Sequence, residues 1–437
     1  KEGQPQKVAL IYKGLTGLSH RIAKQFTTMY GTPNFIGLDG NEGVGAANYL
    51  TLGTYQDYAY DLENTDFVLS FGARLLDAWS SPIYAQKALS SMREQKKNAV
   101  IIQIEPRCST TAARANEWIP IRPGTEGALA LGIAYVLIRE RLYDASFIEK
   151  HTFGFDDVVY DNGEKKPGFR QTVLEKYHPQ TVSEITGVSA EKIISLAKTF
   201  VSADAAVAVI DQPITQYTNG LSNAIAVNAL NALKGNIDKP GGVLKQRKLF
   251  YPQSETESLD EIAKKGLSAR RINGSVADAL TGSPLNEEFG FDYGGYPIEL
   301  LFTYNCNPVH YTPLPNQRLQ WMNRIPLSVC ISTLWNETAE ASTLVLPEHH
   351  FLERWQDAPN SEVVPTPVVG LSQPVSDKRM YDTRHFLEIL SGIASRMGEP
   401  FNTEISIQPS EEKIKDYFEG LYNAKRGAIF SDAFYSA

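Results

Sequence analysis

Short apolar runs alternate with stretches of helical periodicity along most of the chain. Apolar runs bounded by turn residues predict strands at residues 8–12, 67–72, 99–104, 206–210, 298–304, 327–332 and 343–346. Apolar residues at helical spacing predict helices at residues 18–30, 82–95, 126–141, 190–201, 223–234 and 385–397. Strands that alternate with helices form mainly parallel sheets covered on both faces, so the pattern predicts an α/β protein with two doubly wound units.

A polar stretch at about 245–289 interrupts this rhythm. It is rich in Lys, Ser and Glu and has little apolar periodicity. We therefore predict a long surface connection here. The total of 437 residues fits two or three domains, because single cores stop growing near about 250–300 residues.

Composition and charge exclude several classes of protein. The net charge of −8 argues against nucleic-acid binding, which usually needs a basic face. The longest apolar run, at about 128–138, is shorter than the roughly 18–20 residues that cross a bilayer, so we predict no transmembrane segment. The three cysteines form no CxxC motif, which excludes a zinc ribbon, an iron–sulfur site or a thioredoxin motif within these residues. The chain begins with Lys1 and without a signal-peptide pattern, so we expect it to be an internal piece of a longer protein.

Charged residues follow the predicted strand at 99–104 and open the helix that comes after it. Glu105 stands past the strand's carboxyl end, where open α/β sheets bind ligands, and it suits a ribose or a base. Arg107 suits a phosphate. Gly124 permits close backbone approach, Thr125 is a candidate N-cap, and Glu126 either complements the helix dipole or binds a guanine. The alternative is that these residues only end a strand and cap a helix.

Polar residues also follow three other predicted strands. Gln212 comes after the strand at 206–210, and Asn305 and Asn307 come after the strand at 298–304. Glu337 and Thr338 follow the strand at 327–332. Amide side chains offer both donors and acceptors to a base or a pterin. The loop at 235–242 contains three glycines and a proline and predicts a tight, exposed turn, the alternative being a helix C-cap with a loop.

The segment 346–355 contains adjacent histidines between carboxylates, which raises the question of a metal site. Neighbouring side chains point apart on regular elements, so we predict surface or interdomain polar contacts for His349 and His350 instead. We expect Cys306 to be a small buried side chain and not a nucleophile. The sequence contains no HExxH, GxSxG or GxxxxGK[ST] motif, so hydrolase and P-loop functions lack their signatures.

Taken together, these motifs resemble the molybdopterin oxidoreductase family of the dimethyl sulfoxide reductase type. In that family a strand ends in Asp-Pro-Arg, and a Trp-Ile-x-Ile-Arg-Pro-Gly-Thr-Asp stretch then opens a helix. The matching segments here are 105–107 and 118–126, with Glu in place of Asp twice. The pairs Asn307-Pro308 and Leu346-Pro347 and the triplet 337–339 also match, in the family's order.

The resemblance implies two interleaved central domains that hold a bis-(molybdopterin guanine dinucleotide) with Mo or W. Residues 1–33 and 290–437 are expected to form one α/β domain, residues 34–244 the second, and residues 245–289 the connection. An iron–sulfur cluster is expected only outside this fragment. The residues expected to bind the cofactor are Gly72, Ala73, Arg74, Glu105, Arg107, Gly124, Thr125, Glu126, Gln212, Asn305, Asn307, Glu337 and Thr338.

The metal ligand is where the sequence departs from the family. Members usually offer Cys, selenocysteine, Ser or Asp shortly after a Gly-x-Pro-Asn segment. Here that segment is 31–34, and Glu42 falls nearest the ligand position by counting, with Asp39 as the alternative. The resemblance therefore leaves two possibilities open: a carboxylate binds the metal, or the metal has been lost.

Further likeness points to subunits of quinone-linked membrane complexes. Arg74 stands where the family commonly has Asn. Segments 351–355 and 364–374 look like the corresponding segments of polysulfide and tetrathionate reductases. They also look like those of the molybdopterin-like subunits of the menaquinone reductase complex and of alternative complex III. This implies the large subunit of a respiratory oxidoreductase, or alternatively a cofactor-free scaffold subunit. The implied partners are an iron–sulfur subunit, an integral membrane anchor and a cytochrome c, at the periplasmic face of the membrane. A Rossmann-type nicotinamide enzyme is a third hypothesis, which the lack of GxGxxG at 13–17 argues against.

Overall fold

The computed structural model describes residues 3–38, 42–54, 58–95, 99–159, 163–246, 259–269, 271, 296–311, 315–359, 363–376, 380–405 and 410–423. The strands are β1 (Val8–Tyr12), β2 (Asn34–Gly37), β3 (Tyr58–Tyr60), β4 (Phe67–Phe71), β5 (Val100–Ile104), β6 (Glu117–Ile119), β7 (Val158–Val159), β8 (Lys165–Lys166), β9 (Ala206–Ile210), β10 (Val243–Lys245), β11 (Leu300–Tyr304), β12 (Leu327–Ser332), β13 (Leu344–Pro347), β14 (Gln356–Pro359) and β15 (Val369–Ser372).

Helices connect most of these strands. They are α1 (Gly17–Tyr30), α2 (Glu42–Leu52), α3 (Pro82–Gln95), α4 (Thr110–Arg114), α5 (Glu126–Arg139), α6 (Ala145–His151), α7 (Phe169–Lys176), α8 (Pro179–Thr186), α9 (Ala190–Ser202), α10 (Gly220–Lys234), α11 (Glu261–Leu267), α12 (Pro308–Tyr311), α13 (Pro315–Met322), α14 (Glu337–Glu340), α15 (Phe386–Met397), α16 (Phe401–Glu404) and α17 (Ser410–Asn423). Short 3-10 helices cover Pro5–Lys7, Gln212–Thr215 and Phe351–Glu353.

The described residues fall into two compact units that interleave in sequence. The first unit draws on Lys1–Asp39, Leu249–Pro359 and Val369–Ala437, and the second on Gly40–Lys248 and Asn360–Val368. This division differs from the predicted one near residue 34, because β2 pairs in parallel with β1 and so belongs to the first unit.

The first unit is built on a five-stranded parallel sheet in the order β13-β12-β11-β1-β2. Strand β1 is apolar throughout because both of its faces are buried. Leu10 and Tyr12 face the cluster that contains residues of α1 and α15. Ala9 and Ile11 face the opposite cluster, which contains Trp321 of α13. Helices therefore cover both faces of this sheet.

The second unit is built on a four-stranded parallel sheet in the order β6-β5-β4-β9. Alternate residues of β4 pack on opposite sides, with Leu69 in the cluster that contains α5, α9 and α10 and Val68 in the cluster that contains α3. Phe67 meets Phe200 of α9 edge to face, with ring centroids 6.2 Å apart. The predicted α/β class with mainly parallel sheets is confirmed. Among the described residues, no helix is both long and apolar enough to span a bilayer.

The stretch predicted as a surface connection contains α11, which packs on the first unit through the buried residues Ala263 and Gly266. A Cβ on Gly31 would lie 2.4 Å from the Cα of Ala263. The rest of that stretch lies largely outside the described residues. Gly235 ends α10 in the left-handed conformation, so the alternative of a helix C-cap with a loop is confirmed at 235–242. The loop itself is only partly exposed, because Gly241 and Gly242 are buried.

The adjacent histidines differ in their surroundings. Glu348 and His349 are 2% and 1% exposed, so the prediction of a surface contact is wrong for His349, whereas an interdomain contact stays a prediction. His349 Nδ1 lies 2.6 Å from the hydroxyl of Thr383. His350 instead caps the short 3-10 helix that follows it. Cys306 is buried, as predicted.

Candidate functional site

The carboxyl ends of β4, β5 and β9 and the start of α5 carry most of the predicted cofactor residues. We call this region the second-unit edge, defined by Gly72–Arg74, Glu105–Arg107, Gly124–Glu126 and Asp211–Gln212. Parallel strands place their carboxyl ends on the same side of a sheet, and the neighbouring order β5-β4-β9 brings the three strand ends side by side.

Gly72 makes the turn out of β4 possible. Its φ of +65° lies in the left-handed region, and its backbone N–H donates to the carbonyl of Ile104 at 2.9 Å. A Cβ at this position would lie 2.8 Å from Cγ2 of Ile214. Ala73 follows, fully buried, and its carbonyl accepts from the amide of Gln103 at 3.2 Å. The loop after β4 is thus held tightly against the ends of β5 and β9.

Arg74 and Asp211 face each other across this edge. The backbone N–H of Arg74 donates to the Asp211 carboxylate, and the guanidinium charge also acts on it. Asp211 is 7% exposed, and burial raises its pKa despite the N–H of Gln212 and the Arg74 charge, which both lower it. Within the described residues, Nε of Arg74 and Oδ2 of Asp211 are buried and have no hydrogen-bond partner. Gln212 begins the 3-10 helix beside them.

Glu105 and Arg107 occupy the same edge with different roles. The Glu105 carboxylate accepts from the backbone N–H of Ser109 at 3.0 Å, and its carbonyl accepts from the indole of Trp118 at 3.0 Å. Part of the binding capacity of Glu105 is therefore used to hold the following turn. Arg107 is exposed, and its guanidinium has no hydrogen-bond or ion-pair partner among the residues that the structure describes. It remains available for an anion.

The start of α5 adds a buried carboxylate. Glu126 is 2% exposed and accepts from the backbone N–H groups of Gly124 and of Glu126 itself. Burial raises its pKa, and those two donors offset part of the increase. The second oxygen, Oε2, has no partner within the described part of the chain. Thr125 occupies the N-cap position, but its hydroxyl donates to the carbonyl of Arg122 at 2.7 Å and caps no helical N–H.

Helix α10 ties this segment to the loop after β9. Gly124 has φ +77°, and a Cβ there would lie 3.3 Å from the ring of Tyr217. Its carbonyl accepts from Asn219 at 2.8 Å and from Asn223 at 3.4 Å. Asn223 also donates to the carbonyl of Ile214 at 3.3 Å. The structure therefore brings the Gly124 segment and the loop after β9 together through these asparagines.

A different arrangement stands at the carboxyl ends of β11 and β12. We call it the first-unit edge, defined by Asn305, Asn307, Glu337 and Thr338. The Asn307 amide donates to Glu337 at 2.6 Å and accepts from the Thr338 hydroxyl at 2.8 Å. A Glu337 carboxylate oxygen also lies 3.3 Å from Nδ1 of His310. The pKa of Glu337 is lowered, and the hydrogen bond from Asn307 is the largest cause. Asn305 is exposed with φ +48°.

The predicted metal ligands are not located by the structure. Glu42 is the first residue of α2, but its side chain lies outside the described residues, as does all of Asp39. Within the described ranges, no group of three or more His, Cys, Asp or Glu side chains is arranged to hold a metal ion. The assignment of Glu42 or Asp39 to the metal stays a prediction.

Asp211 lies beside the predicted Gln212 at the same strand end, whereas Gln103 was not among the predicted residues. Oε1 of Gln103 is also buried without a partner in the described residues. The signal for Asp211 was its position directly after the apolar strand β9. Gln103 had no comparable signal, because a polar residue inside a strand gives no indication of the side on which its amide lies.

Two parallel sheets with polar residues at their carboxyl edges define an open α/β protein. The family model for molybdopterin oxidoreductase matches residues 1–380. The chain therefore belongs to the molybdopterin oxidoreductase family.

The individual relatives include reductases and reductase subunits. The chain is 27% identical to the arsenate respiratory reductase molybdopterin-containing subunit of Shewanella sp. (strain ANA-3), over 87% of this chain and 47% of that protein. It is 28% identical to dimethyl sulfoxide reductase of Escherichia coli (strain K12), over 84% and 46%. It is 25% identical to the menaquinone reductase, molybdopterin-binding-like subunit of Nitratidesulfovibrio vulgaris, over 91% and 52%.

A solved structure supports the fold. Acetylene hydratase from Pelobacter acetylenicus matches with a TM-score of 0.69 at 23% identity, over 94% of this chain and 60% of that one. The chain spans about half the length of the curated relatives it matches. At this identity the structural match speaks for the fold alone.

Proposed function

We propose that this chain is the cofactor-holding part of the large subunit of a respiratory molybdopterin oxidoreductase, with a bis-(molybdopterin guanine dinucleotide) and Mo or W. The observation that carries the proposal is the set of buried polar atoms at the second-unit edge that lack partners in the described residues: Arg74 Nε, Asp211 Oδ2 and Glu126 Oε2. Buried polar groups are normally hydrogen-bonded, and an unsatisfied one costs about 1–3 kcal/mol. A polar ligand at this edge would satisfy them.

The donor set fits a guanine dinucleotide. Arg74 and Arg107 supply cationic donors for phosphate oxygens, and the carboxylates of Asp211 and Glu126 supply acceptors for ribose hydroxyls or guanine N–H groups. Gly72 and Gly124 permit the backbone conformation of this edge, because each has a positive φ and the neighbouring loop leaves little room for a side chain. The first-unit edge offers amides and a carboxylate to the second dinucleotide.

The bound cofactor would supply the transfer of an oxygen or sulfur atom together with two electrons. The residues of the chain would bind and orient it: Arg74 and Arg107 neutralise phosphate charge, and Glu126 holds guanine in one orientation. Glu42, or Asp39 in its place, would give a carboxylate to the metal, which suits a hard cation such as oxidised molybdenum.

We further propose that the enzyme exchanges electrons with a membrane quinone pool from the periplasmic side. Support comes from the similarity to the menaquinone reductase subunit and to the arsenate respiratory reductase subunit. In this proposal an iron–sulfur subunit carries the electrons, a membrane subunit anchors the complex, and a cytochrome c is a further partner.

The test is cofactor analysis of the full-length native protein. Elemental mass spectrometry would measure Mo and W, fluorescence of oxidised pterin would measure pterin, and chromatography after acid hydrolysis would measure GMP. Metal, pterin and GMP together support the proposal. Absence of pterin and GMP from protein purified under anaerobic conditions refutes it.

A matched pair of variants localises the binding. Glu126→Gln changes the buried carboxylate at the start of α5, whereas Glu191→Gln changes an exposed carboxylate in the first turn of α9. Glu126→Gln is expected to lower the GMP content of the purified protein, and Glu191→Gln is expected to leave it unchanged. Equal GMP content in both variants contradicts the role assigned to Glu126.

A second candidate is a scaffold subunit without cofactor. The observation that favours it is the sequence around residues 39–42, which has no Cys or Ser at the position where the family usually offers a metal ligand. Its relative in Nitratidesulfovibrio vulgaris is named a molybdopterin-binding-like subunit. The same cofactor analysis separates the two candidates, because the scaffold would contain neither pterin nor GMP.

A further inference from the structure

A cavity of about 320 Å³ opens between α3 and α4 in the second unit. Its apolar wall includes Leu89 and Ile101, which are almost fully buried. Ile101 lies near the start of β5, whereas the second-unit edge begins after Ile104. None of the predicted cofactor residues lines the cavity.

Polar side chains line the mouth of this cavity at helical spacing. Ser90 and Arg93 lie one turn apart on α3, and Thr110 and Arg114 lie one turn apart on α4. The helices thus direct a hydroxyl and a guanidinium each toward the same space. The apolar wall and this polar rim give the cavity two chemically distinct sides.

The two guanidiniums give the mouth an uncompensated positive charge. Nη2 of Arg93 donates to the backbone carbonyl of Arg114 at 2.5 Å, which fixes the first guanidinium beside the second residue. Within the described part of the chain, neither arginine has an ion pair with a carboxylate, and none of the residues lining the cavity is acidic. Arginine presents several donors in a fixed plane that matches carboxylate or phosphate oxygens.

We propose that this cavity binds a small organic anion, with its carboxylate between Arg93 and Arg114 and its apolar body against Leu89 and Ile101. The volume stands at the lower end of the range for small-molecule sites, which is about 300–1,000 Å³. Inorganic anions would use only the arginines, whereas a ligand with an apolar body would also displace water from the inner wall. The proposal is independent of whether the chain holds a pterin cofactor.

The test uses benzoate as the probe and the full-length protein. Isothermal titration calorimetry would compare benzoate with benzamide, which has nearly the same shape without the charge, and with formate, which has the carboxylate without the apolar body. Benzoate is expected to bind at least about tenfold more tightly than either, since a charge-assisted hydrogen bond and apolar burial each contribute about that much. Equal affinity of benzamide, or of formate, overturns the proposal.

Arginine variants supply the second part of the test. Arg93→Gln and Arg114→Gln are each expected to weaken benzoate binding about tenfold or more. Arg396→Gln is the matched control, because Arg396 is an exposed helical arginine whose guanidinium also donates to a backbone carbonyl, that of Gly392. Unchanged benzoate affinity in both cavity variants, with thermal unfolding like that of the control, refutes the site.

Discussion

Removal of the Arg354 guanidinium tests how the first unit keeps a buried carboxylate charged. Glu348 follows β13 and its side chain is 2% exposed, while the Arg354 side chain is 16% exposed. Arg354 Nη1 donates to Glu348, and the Tyr304 hydroxyl donates to the same oxygen at 3.0 Å. The Nε of Arg354 donates to Gln356 at 2.9 Å. Arg354→Met removes the cation and keeps much of the side-chain volume.

The expected cost is large because the remaining charge is buried. Removing one partner of a buried ion pair typically costs about 3–5 kcal/mol. The Tyr304 hydroxyl still donates to Glu348 in the variant, so we expect the lower end, about 3 kcal/mol. The double variant Arg354→Met/Glu348→Gln is expected to recover most of this loss, since it leaves no buried charge.

The pH dependence of this destabilisation distinguishes the effect of the buried charge from the effect of lost packing. Burial raises the pKa of Glu348 even in the presence of Arg354, and the variant loses the largest lowering influence on it. A carboxyl group whose pKa is higher in the folded than in the unfolded state binds more protons when folded, so stability falls as pH rises through that interval. The destabilisation by Arg354→Met is therefore expected to be small below the ordinary carboxyl pKa and to grow toward neutral pH.

Amide hydrogen exchange of β11 measures this effect within the first unit. Exchange of core strand amides reports the free energy of opening without assuming that both units unfold together. We expect protection of β11 to fall in Arg354→Met at neutral pH and to recover in the double variant. A loss of protection that is the same at low and neutral pH would show that lost packing, and not the buried charge, determines the cost.

Two further substitutions probe backbone features of each unit. Gly17→Ala forces φ +59° on an alanine and places its Cβ 2.1 Å from Oδ2 of Asp357. This substitution is expected to lower the free energy of unfolding in urea by at least about 2 kcal/mol. Gly53→Ala is the control: Gly53 has φ +77° and open space around it, so its substitution measures the cost of the backbone conformation without the steric contact. Asn231→Ala removes the amide that donates to and accepts from the backbone of Ala208 at 2.8 and 2.9 Å. That loss leaves two buried backbone groups of β9 unpaired, and we expect the unfolding free energy to fall by about 2–4 kcal/mol. Faster hydrogen exchange of the Ala208 amide would measure this effect.

The strands were predictable where both sheet faces are buried. β1 and β9 are continuous apolar runs, and β4 is interrupted only by the buried Ser70, because these strands pack against helices on both faces; the pattern alone therefore predicts them. β2 escaped prediction because it is short and begins with Asn34, a buried asparagine whose amide donates to the carbonyl of Gln6 at 2.7 Å. A polar residue satisfied by a distant backbone group looks like a loop residue in the sequence.

The sequence predicts where the candidate site lies, but it does not predict which of the polar groups there already have hydrogen-bond partners within the protein. Glu105 follows a strand and Glu126 opens a helix, but the sequence does not show which of the two carboxylates is already bonded within the protein. In the structure Glu105 is used by the turn that follows β5, whereas one oxygen of Glu126 lacks a partner in the described residues. The burial of His349 was not predicted for a related reason: the sequence does not show that the Thr383 hydroxyl lies within hydrogen-bond distance of its ring.

The contrast between the two edges has a consequence for the proposed cofactor. At the second-unit edge, polar atoms of Arg74, Asp211 and Glu126 are buried without partners in the described residues, so a ligand gains hydrogen bonds there without breaking any. At the first-unit edge, the Asn307 amide is already bonded to Glu337 and Thr338, so a ligand that needs this amide must first displace a short hydrogen bond. The part of the cofactor held by the second unit should therefore be bound more tightly than the part held by the first.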